Sequence, residues 1–370
     1  MPDAPSNRQG VALLDLRHDA PEHERRTHQW LGERIAALLG TPLLGLHRDG
    51  DARAHYIIPN DTLIGRSTAR ELGIRSDVDF FGGLVAEPFM ATKAITHPLP
   101  GPSAHAPPGW SEGFAHLAGR AVLGGYSAFN IDDAMQAGIR LLLNGPLRVK
   151  PVRATAGRGQ CRVTDDEQLR EAIALQDLDE IATWGLVLEE QLEDVVTYSV
   201  GQVQLAGITA SYFGTQSQTE DNAGTCVYGG SELVVARGGW QDLLSLAGNE
   251  PVRLAIEQAR AYEQAAQACF PGFIASRRNY DIAQGINARG QLRSGVLEQS
   301  WRIGGASAAE VLAIEAFAAD PALTRIRTAT VERYGDFEVP GGAALLYRGH
   351  DAEVGPIVKF ARVEPYGDAQ

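Results

Sequence analysis

Short apolar runs alternate with polar stretches along most of this chain. The first apolar run, residues 11–16, has the length of a buried strand; an arginine-rich helical segment follows, and a second apolar run covers residues 41–46. This order predicts a small α/β unit that extends to about residue 90. Residues 98–113, rich in proline, glycine, histidine and serine, predict a surface loop or linker. From residue 121, strands and helices follow one another to the end of the chain.

Three histidines in and near the first helical segment lack the spacing of a metal site. His23 is followed by Glu24 and then by His28, which is not the His-Glu-x-x-His order of zinc enzymes. Together with His18, these side chains are interpreted as the polar face of the helix.

A strand that ends in a lysine leads into a glycine-containing loop in the middle of the chain. The strand ends at Lys150, the loop contains Gly157 and Gly159, and a short strand over residues 160–163 follows. A helix then begins, with Thr164 as its predicted N-cap. Glycines let backbone N–H groups approach an anion closely, so this loop can fold over a phosphate as a flap. A glycine loop alone is weak evidence for a phosphate site.

A later buried strand runs directly into acidic residues. Residues 186–188 are apolar, and Glu189 and Glu190 follow at once. Such a strand exit can offer a carboxylate and backbone groups to the amino edge of adenine. A solvated strand end is the alternative interpretation.

A pair of acids in the last third of the chain predicts a metal site. Apolar strands over residues 280–283 and 294–302 predict a hairpin in which Asp281 and Glu298 are neighbours. Two carboxylates in apolar surroundings are costly unless a cation compensates them, and paired oxygen ligands suit Mg²⁺. Ordinary cross-strand acids on a solvated face are the alternative.

Composition and charge exclude several classes of partner. Of the 370 residues, 44% are hydrophobic and 21% are charged, as in ordinary globular proteins. The formal net charge of -13 argues against a nucleic-acid backbone or an anionic membrane surface as the main partner. The sequence has no apolar signal core and no run approaching the roughly 20 apolar residues that span a bilayer. The three separated cysteines indicate reduced thiols, so we expect a cytoplasmic protein.

Lysine is far scarcer than arginine. Only Lys93, Lys150 and Lys359 occur among 33 basic residues, which leaves thirty arginines. A chain with this bias is expected to keep lysine where a compact ammonium on a flexible stem is needed. Chance survival is the alternative for any single lysine.

The flap lysine, the acidic strand exit and the acidic hairpin together resemble the ATP-grasp superfamily. This superfamily includes biotin carboxylase, the D-alanine–D-alanine ligases and carbamoyl phosphate synthetase, and the resemblance covers roughly residues 90 to 310 in the family's order. It implies an α/β protein, more closely an α+β ATP-grasp fold, with a small N-terminal α/β domain followed by two α+β subdomains that clamp ATP. The implied ranges are 1–95 for the N-terminal domain, 96–188 for the central subdomain with the glycine flap, and 189–370 for the C-terminal catalytic subdomain.

The resemblance also implies a site for the phosphates of ATP. Lys93 stands some fifty residues before the flap lysine, where the family often has a lysine that contacts the α-phosphate. Lys150 would hold oxygens of the α- and β-phosphates. Gly157 and Gly159 would let the flap cover the β- and γ-phosphates.

For the nucleoside, the resemblance implies contacts along the acidic strand exit. Glu189 would face the adenine amino group, and the backbone of Glu190 and Leu192 would reach the edge of the ring. The family usually has another glutamate about seven residues later that binds ribose. Val196 and Thr197 stand there, so the residue that binds ribose is not identified.

The metal ligands implied by the resemblance match the family in part. Asp281 and Glu298 would bind Mg²⁺ (or Mn²⁺), with Glu298 bridging two ions. The family's last strand reads Glu-x-Asn-x-Arg, and Arg302 matches its arginine, whereas Ser300 stands at the metal-binding asparagine. A serine hydroxyl is a shorter and weaker ligand, which puts the second metal position in question.

The implied activity is that of an ATP-dependent ligase. The γ-phosphoryl group would pass to a carboxylate, and an amine or similar nucleophile would attack the acylphosphate, with Lys150, Glu298 and Arg302 as catalytic residues. The expected partners are small-molecule carboxylate and amine-type substrates, with neither nucleic acid nor membrane, and a homo-oligomer is left open. Two alternatives remain: an ATP-grasp kinase that stops after phosphoryl transfer, and a degenerate ATP-binding module without turnover.

Two glycine-rich loops and an arginine pair are candidates for substrate contacts. Residues 221–232 form a polar loop, and residues 303–307 follow Arg302 and could wrap a carboxylate with backbone N–H groups. Arg277 and Arg278 could hold a carboxylate or a phosphoryl group. A plain surface turn and a solvated arginine pair are the respective alternatives.

Overall fold

The computed structural model describes residues 8–48, 55–153 and 159–366. Its helices are α1 (Glu22–Leu38), α2 (Arg66–Glu71), α3 (Glu112–Ala118), α4 (Ile131–Leu142), α5 (Asp166–Ala174), α6 (Leu178–Trp184), α7 (Trp240–Leu244), α8 (Glu250–Cys269) and α9 (Ser307–Ala319). The first nine strands are β1 (Val11–Leu14), β2 (Leu43–Leu46), β3 (Tyr56–Pro59), β4 (Leu63–Ile64), β5 (Gly83–Val85), β6 (Gly125–Ala128), β7 (Leu147–Pro151), β8 (Cys161–Val163) and β9 (Leu186–Glu190). The later strands are β10 (Leu192–Leu205), β11 (Ile208–Glu220), β12 (Cys226–Arg237), β13 (Ile274–Ala275), β14 (Arg277–Asn287), β15 (Leu292–Ser300), β16 (Arg325–Tyr334), β17 (Ala344–Asp351) and β18 (Gly355–Glu364).

The N-terminal unit is a three-stranded parallel sheet with helices on both faces. β1 lies between β2 and β3, in agreement with the small α/β unit predicted from the apolar runs. Side chains of α1 pack on one face of this sheet, and α2 packs on the other. Both faces are covered, which explains why β1 and β3 are almost continuously apolar.

The interpretation of the α1 histidines as a polar face is wrong for two of the three. His23 and His28 are buried, and His28 Nε2 lies 2.8 Å from the carbonyl oxygen of Ile58. The helix packs against the N-terminal sheet and also against α9 and β17, so more than one of its sides is covered. His18, which precedes the helix, is exposed.

The central part of the chain forms a four-stranded antiparallel sheet in the order β6-β9-β7-β8. α4 and α5 cover one face of this sheet with apolar side chains. The predicted N-cap Thr164 is wrong by one residue, because Asp165 caps α5 by accepting from the backbone N–H groups of Glu167 and Gln168. The opposite face of the sheet carries Lys150 and Glu189, because cross-strand partners share a face and Arg148, two residues before Lys150, pairs with Glu189.

An eight-stranded antiparallel sheet forms the largest layer, in the order β15-β14-β10-β11-β12-β16-β18-β17. α8 packs on one face and α9 on the other, each over an apolar core. The hairpin predicted from the sequence is β14 and β15, and its register places Asp281 directly opposite Glu298. Since cross-strand partners share a face, both carboxylates point to the same side of this sheet.

A small third layer joins the N-terminal unit to the large sheet. β5 lies between β4 and β13, and the backbone of Gly83 lies so close to Trp301 that a Cβ atom at Gly83 would stand 2.5 Å from the Trp301 Cβ. Trp301 is buried, and it fixes the chain between Ser300 and Arg302. Within the residues described, no helix is both long enough and apolar enough to cross a membrane.

Candidate active site

Lys93 lies in a short 3₁₀ turn, Lys93–Ile95, against the large sheet. The turn is capped by the Thr92 hydroxyl, which accepts from the Ala94 N–H at 3.1 Å. Gln299 of β15 donates its side-chain amide to the Thr92 carbonyl at 2.6 Å and so ties the turn to the sheet. Lys93 is 4% exposed, and its ammonium lies 2.5 Å from Glu298 Oε2.

Lys150 and Glu189 form a second ion pair, buried at both residues, on the face of the central sheet opposite α4 and α5. Lys150 Nζ contacts Glu189 Oε1, and His97 Nε2 lies 3.0 Å from Glu189 Oε2. Burial alone would raise the pKa of Glu189, but Lys150 and then His97 outweigh it and lower that pKa to about 2. Burial also lowers the pKa of Lys150, against the pull of Glu189. The lowered pKa of Glu189 favours the ionised pair, whereas the lowered pKa of Lys150 opposes it. Because Glu189 contacts two donors, the ionised pair is favoured at neutral pH.

Asp281 and Glu298 are paired across β14 and β15, but their environments differ. The side-chain amides of Gln216 and Asn279 donate to Asp281 Oδ1 at 2.8 and 2.9 Å. Burial and then the charge of Glu298 raise the pKa of Asp281 to about 6. Burial opposes the ionised form of Glu298 as well, but Lys93 outweighs it, so the pKa of Glu298 is lowered.

These contacts bring five charged groups into one cluster: Lys93, Lys150, Glu189, Asp281 and Glu298. The Lys93–Glu298 pair lies near Lys150, since the charges of Lys93 and Glu298 both influence the pKa of Lys150. A cavity of about 280 Å³ does lie nearby, but it is lined by the β14–β15 turn, the end of α4 and the strand exit at Glu190, without either lysine. In the described structure both lysines are held by carboxylates, while the Glu298 side chain stays 38% exposed.

Ser300 and Arg302 are held by Arg277, one of the two arginines noted in the sequence. The buried guanidinium of Arg277 donates to Ser300 Oγ at 3.2 Å and to the Arg302 carbonyl at 2.5 Å. Its other side forms an ion pair with Glu310 at 2.8 Å, also fully buried. The interpretation of a solvated arginine pair is wrong, because Arg278 is buried as well and lies 3.1 Å from Glu263.

Arg302 itself points toward the N-terminal unit. It is part-exposed, and its Nε lies 3.9 Å from Asp61 Oδ1, which follows β3. Arg302 thus lies at the boundary between the N-terminal unit and the large sheet, and its Nη1 donates to the Ile303 carbonyl at 3.0 Å. A part-exposed guanidinium has further donors for an anionic group.

The strand exit joins the central sheet to the large one. Glu190 accepts from the Gly124 N–H at 2.7 Å and from Arg293 Nε at 2.9 Å, so its carboxylate faces away from Lys150. Leu192 begins β10 and is buried. The side chains of Glu190 and Leu192 are both engaged, and the Glu190 N–H and the Leu192 carbonyl are also occupied, by the Gly124 carbonyl and the Gln191 side-chain amide.

The two flap glycines differ in what the structure describes. Gly157 lies outside the described residues. Gly159 has a φ of +68°, a left-handed conformation that favours glycine. The closure of this loop over a phosphate stays a prediction.

The prediction of a loop over residues 221–232 is wrong from Cys226 onward, where β12 begins, and Tyr228 of this strand meets the turn that follows Arg302. A Cβ atom at Gly305 would lie 2.5 Å from the hydroxyl oxygen of Tyr228, and that hydroxyl lies 2.6 Å from Ser231 Oγ. Burial raises the pKa of Tyr228, and the nearby charges of Glu332 and Asp281 add to this. Tyr228 therefore stays protonated and lies between the acid pair and the turn that follows Arg302.

Sequence reasoning missed His97 and Gln216. Each is a single polar residue in a stretch without a motif, and its role depends on which strand lies next to it. His97 follows the Lys93 turn closely, and this short spacing to a candidate phosphate lysine was the one available signal.

The metal ligands present are two carboxylates and neutral oxygens. Among residues 8–48, 55–153 and 159–366, no group of three or more His, Cys, Asp and Glu side chains could hold a metal ion. A pair of cross-strand carboxylates, one of them with a raised pKa, suits an ion whose remaining ligands come from water and from substrate phosphates, as Mg²⁺ prefers.

Comparisons with known proteins agree with the fold. The sequence matches the family model described as "Protein of unknown function (DUF3182)" over residues 11–361, and a comparison with curated proteins gave no match. Similar solved structures, each 11% identical, include D-alanyl-alanine synthetase A from Vibrio cholerae (79% of this chain and 89% of that chain, TM-score 0.40) and biotin carboxylase from Campylobacter jejuni (96% and 87%, TM-score 0.46). Phosphoribosylamine–glycine ligase from Thermotoga maritima is similar over 96% of this chain and 92% of that chain, with a TM-score of 0.51, and this similarity carries the fold. The chain belongs to the DUF3182 family and has the ATP-grasp fold.

Proposed function

We propose that the protein is an ATP-dependent ligase that activates a carboxylate as an acylphosphate and joins it to an amine. The observation that carries this proposal is the convergence of Lys93, Lys150, Asp281 and Glu298 from four separate elements at one place. Arginine could form the same ion pairs, and lysine is rare in this chain, so ion pairing alone does not explain why two lysines lie in this cluster.

The nucleotide site follows from the two lysine–carboxylate ion pairs. In the proposal, Lys93 and Lys150 exchange their carboxylate partners for phosphate oxygens when ATP enters. Glu189 then turns an acceptor oxygen toward the adenine amino group, and backbone groups of Glu190 and Leu192 reach the ring edge. Both lysines are almost fully buried, so their attraction for phosphate would act with little screening by solvent.

The metal site follows from Asp281 and Glu298. These carboxylates would hold Mg²⁺ or Mn²⁺ together with phosphate oxygens. Ser300 follows Glu298 on β15, but its hydroxyl already accepts from Arg277. When bound, the ion supplies charge neutralisation at the β- and γ-phosphates. Gln216 and Asn279 orient Asp281 by donating to one of its oxygens.

The chemical steps are those of carboxylate activation. A carboxylate oxygen of the acceptor attacks the γ-phosphorus, and the bond to the β-phosphate oxygen breaks to release ADP. The amine then attacks the carbonyl carbon, phosphate leaves, and the amine proton passes to solvent. Arg302 would hold the acceptor carboxylate against the Gly305 turn and the Tyr228 hydroxyl.

The test is ADP release in the presence of Mg²⁺ over a panel of small carboxylates, each with and without a panel of amines. A ligase releases ADP only when both substrates are present, or forms an amide product that mass spectrometry detects. A kinase releases ADP with the carboxylate alone and yields a stable phosphorylated product.

One observation favours the second candidate, an ATP-binding module without turnover. Ser300 Oγ is engaged by Arg277, so the second metal position has a weaker ligand than the family's asparagine. In that case ADP and ATP raise the melting temperature by mass action, but no carboxylate in the panel supports ADP release. Failure of both nucleotides to bind would overturn the two candidates together.

A further inference from the structure

His97 is buried at the point where the Lys93 turn meets the central sheet. It is 0% exposed, as is its neighbour Thr96, whose hydroxyl lies 2.9 Å from the Tyr262 hydroxyl. The imidazole ring lies against Gly125 of β6, where a Cβ atom would stand 2.8 Å from the ring atoms Cδ2, Cε1 and Nε2. Glycine at residue 125 therefore makes the space in which the ring sits.

The one hydrogen bond of the His97 ring goes to Glu189. Nε2 lies 3.0 Å from Glu189 Oε2, and a carboxylate can only accept, so Nε2 carries the proton and donates. Within the part of the chain that the structure describes, Nδ1 has no hydrogen-bond partner. A ring that carries a proton on Nε2 and leaves Nδ1 as an unpaired atom fits both observations.

Glu189 is thus held at both oxygens, by Lys150 at Oε1 and by His97 at Oε2. Under the proposed function only the His97 contact persists when nucleotide binds, because Lys150 then turns from Glu189 to the phosphates. His97 has no such second partner. It would then be the side chain that keeps the Glu189 carboxylate oriented and restricted to accepting hydrogen bonds.

We propose that His97 is a positioning residue that fixes Glu189 as a hydrogen-bond acceptor and thereby selects a purine with an amino group at carbon 6 over one with an oxygen there. This inference rests on the proposed nucleotide site. An amino group donates to a fixed carboxylate, whereas an oxygen at the same place faces a second oxygen and leaves two buried acceptors unpaired.

The experiment compares three probes by calorimetry in the presence of Mg²⁺: ADP, inosine diphosphate, and purine riboside diphosphate, which has only hydrogen at carbon 6. The parent protein should bind ADP most tightly. In His97→Leu, ADP binding should weaken about tenfold, and the preference for ADP over inosine diphosphate should fall by a similar factor. Purine riboside diphosphate should bind equally to both proteins.

Conservative and indirect variants guard against a folding effect. His97→Gln can place an amide N–H near the position of Nε2 and should retain most of the preference for ADP. Gly125→Ala leaves the histidine present but displaces its ring, and it should lose part of that preference. His28→Leu removes another buried histidine, from the N-terminal unit, and should leave all three affinities unchanged.

Two results would overturn the inference while leaving nucleotide binding intact. One is an equal loss of affinity for all three probes in His97→Leu, as a purely structural residue would give. The other is an unchanged ratio of ADP to inosine diphosphate affinity in both His97→Leu and Gly125→Ala. If the parent protein bound none of the probes, the proposed nucleotide site would itself be wrong, and the inference would fall with it.

Discussion

Four charged residues of the candidate site, Lys93, Lys150, Glu189 and Glu298, have a partner of opposite charge close by, so their contributions depend on what replaces that partner. Glu298 is held by Lys93, and Glu189 by Lys150 and His97. Asp281 receives only neutral donors, from Gln216 and Asn279, and it is the acid whose pKa is raised. The three acids are therefore expected to respond differently to substitution and to pH.

Lys150→Ala should weaken ATP binding by about 1.5–3 kcal/mol, the range for a hydrogen bond to a charged group. Lys150→Arg should also weaken it, because a planar guanidinium replaces a compact ammonium. Calorimetry with ATP and Mg²⁺ measures both. Lys359→Ala is the matched control, since that lysine is also buried in an ion pair, with Glu332 at 3.0 Å, on β18. Unchanged affinity in Lys150→Ala would contradict the phosphate contact.

The raised pKa of Asp281 predicts how metal binding depends on pH. A metal ion needs the ionised carboxylate, so affinity for Mn²⁺ without nucleotide should be constant above about pH 7 and fall as pH drops through about 6. Below that pH, the loss should approach roughly tenfold per pH unit. Titrations of Mn²⁺ between pH 7.5 and pH 5 test this. Asp281→Asn should bind the ion more weakly and lose the pH dependence in that window.

Ser300→Asn tests whether the second metal position is functional. Asparagine restores the amide oxygen of the family's motif, and it can still accept from Arg277. Steady or increased ADP release in this variant is expected of a working enzyme.

Glu298→Gln removes a formal charge at nearly constant shape and should abolish ADP release while nucleotide still binds weakly. Equal turnover by Glu298→Gln and the parent protein would argue against the metal role.

At the scale of elements, the site lies where a short turn, two hairpin strands and the central sheet meet. The ion pair between Lys93 and Glu298 joins the Lys93 turn to β15, and it occupies the carboxylate that a metal ion would need. Nucleotide and metal are therefore expected to bind together, because phosphates draw Lys93 away from Glu298.

Lys93→Met should separate these two effects with opposite signs. The variant keeps a long apolar stem but frees Glu298, so affinity for Mn²⁺ alone should rise about tenfold, while affinity for ADP should fall by a similar factor. Both are measured by calorimetry, with Lys359→Met as the control. A fall in both affinities would show that Lys93 does not compete with the metal.

The elements that sequence reasoning predicted well are those with a local signal. The β14–β15 hairpin has two apolar strands around a turn, and its register followed from that pattern; the flap lysine stood at the end of an apolar strand. His97 and Gln216 had no such signal, since each acquires its role from a strand that is distant in sequence. The α1 histidines failed for a related reason, because a helix covered on more than one side does not keep a simple polar face.

At the scale of the whole molecule, the first helix is held by the last strands. The backbone N–H of His23 donates to Asp351 Oδ2 at 3.1 Å, and Asp351 also accepts from the N–H groups of Glu353 and Val354 in the β17–β18 turn. Apolar side chains of α1, α9 and the large sheet share one core. The N-terminal unit and the C-terminal strands are expected to unfold together.

Asp351→Ala should lower the free energy of unfolding by about 1–3 kcal/mol, because it leaves the buried N–H group of His23 without an acceptor. Urea unfolding should stay a single transition, and proteolytic cleavage within α1 should become faster. Glu353→Ala, an exposed neighbour, is the control and should change stability by less than about 0.5 kcal/mol. Separate loss of the N-terminal unit in Asp351→Ala would contradict the shared core.

The contact between His23 and Asp351 also has a consequence for how the protein is made. The two residues are 328 positions apart, so at the usual rates of translation the ribosome adds the acceptor roughly 15 s to 1 min after the donor. During that interval α1 can pack on β1, β2 and β3, but the side of α1 that contacts α9 and β17 has no partner. The nascent chain is therefore expected to depend on chaperones until β17 and β18 emerge. Slower translation near the 3′ end of the messenger RNA should lengthen the time in which the nascent chain can aggregate.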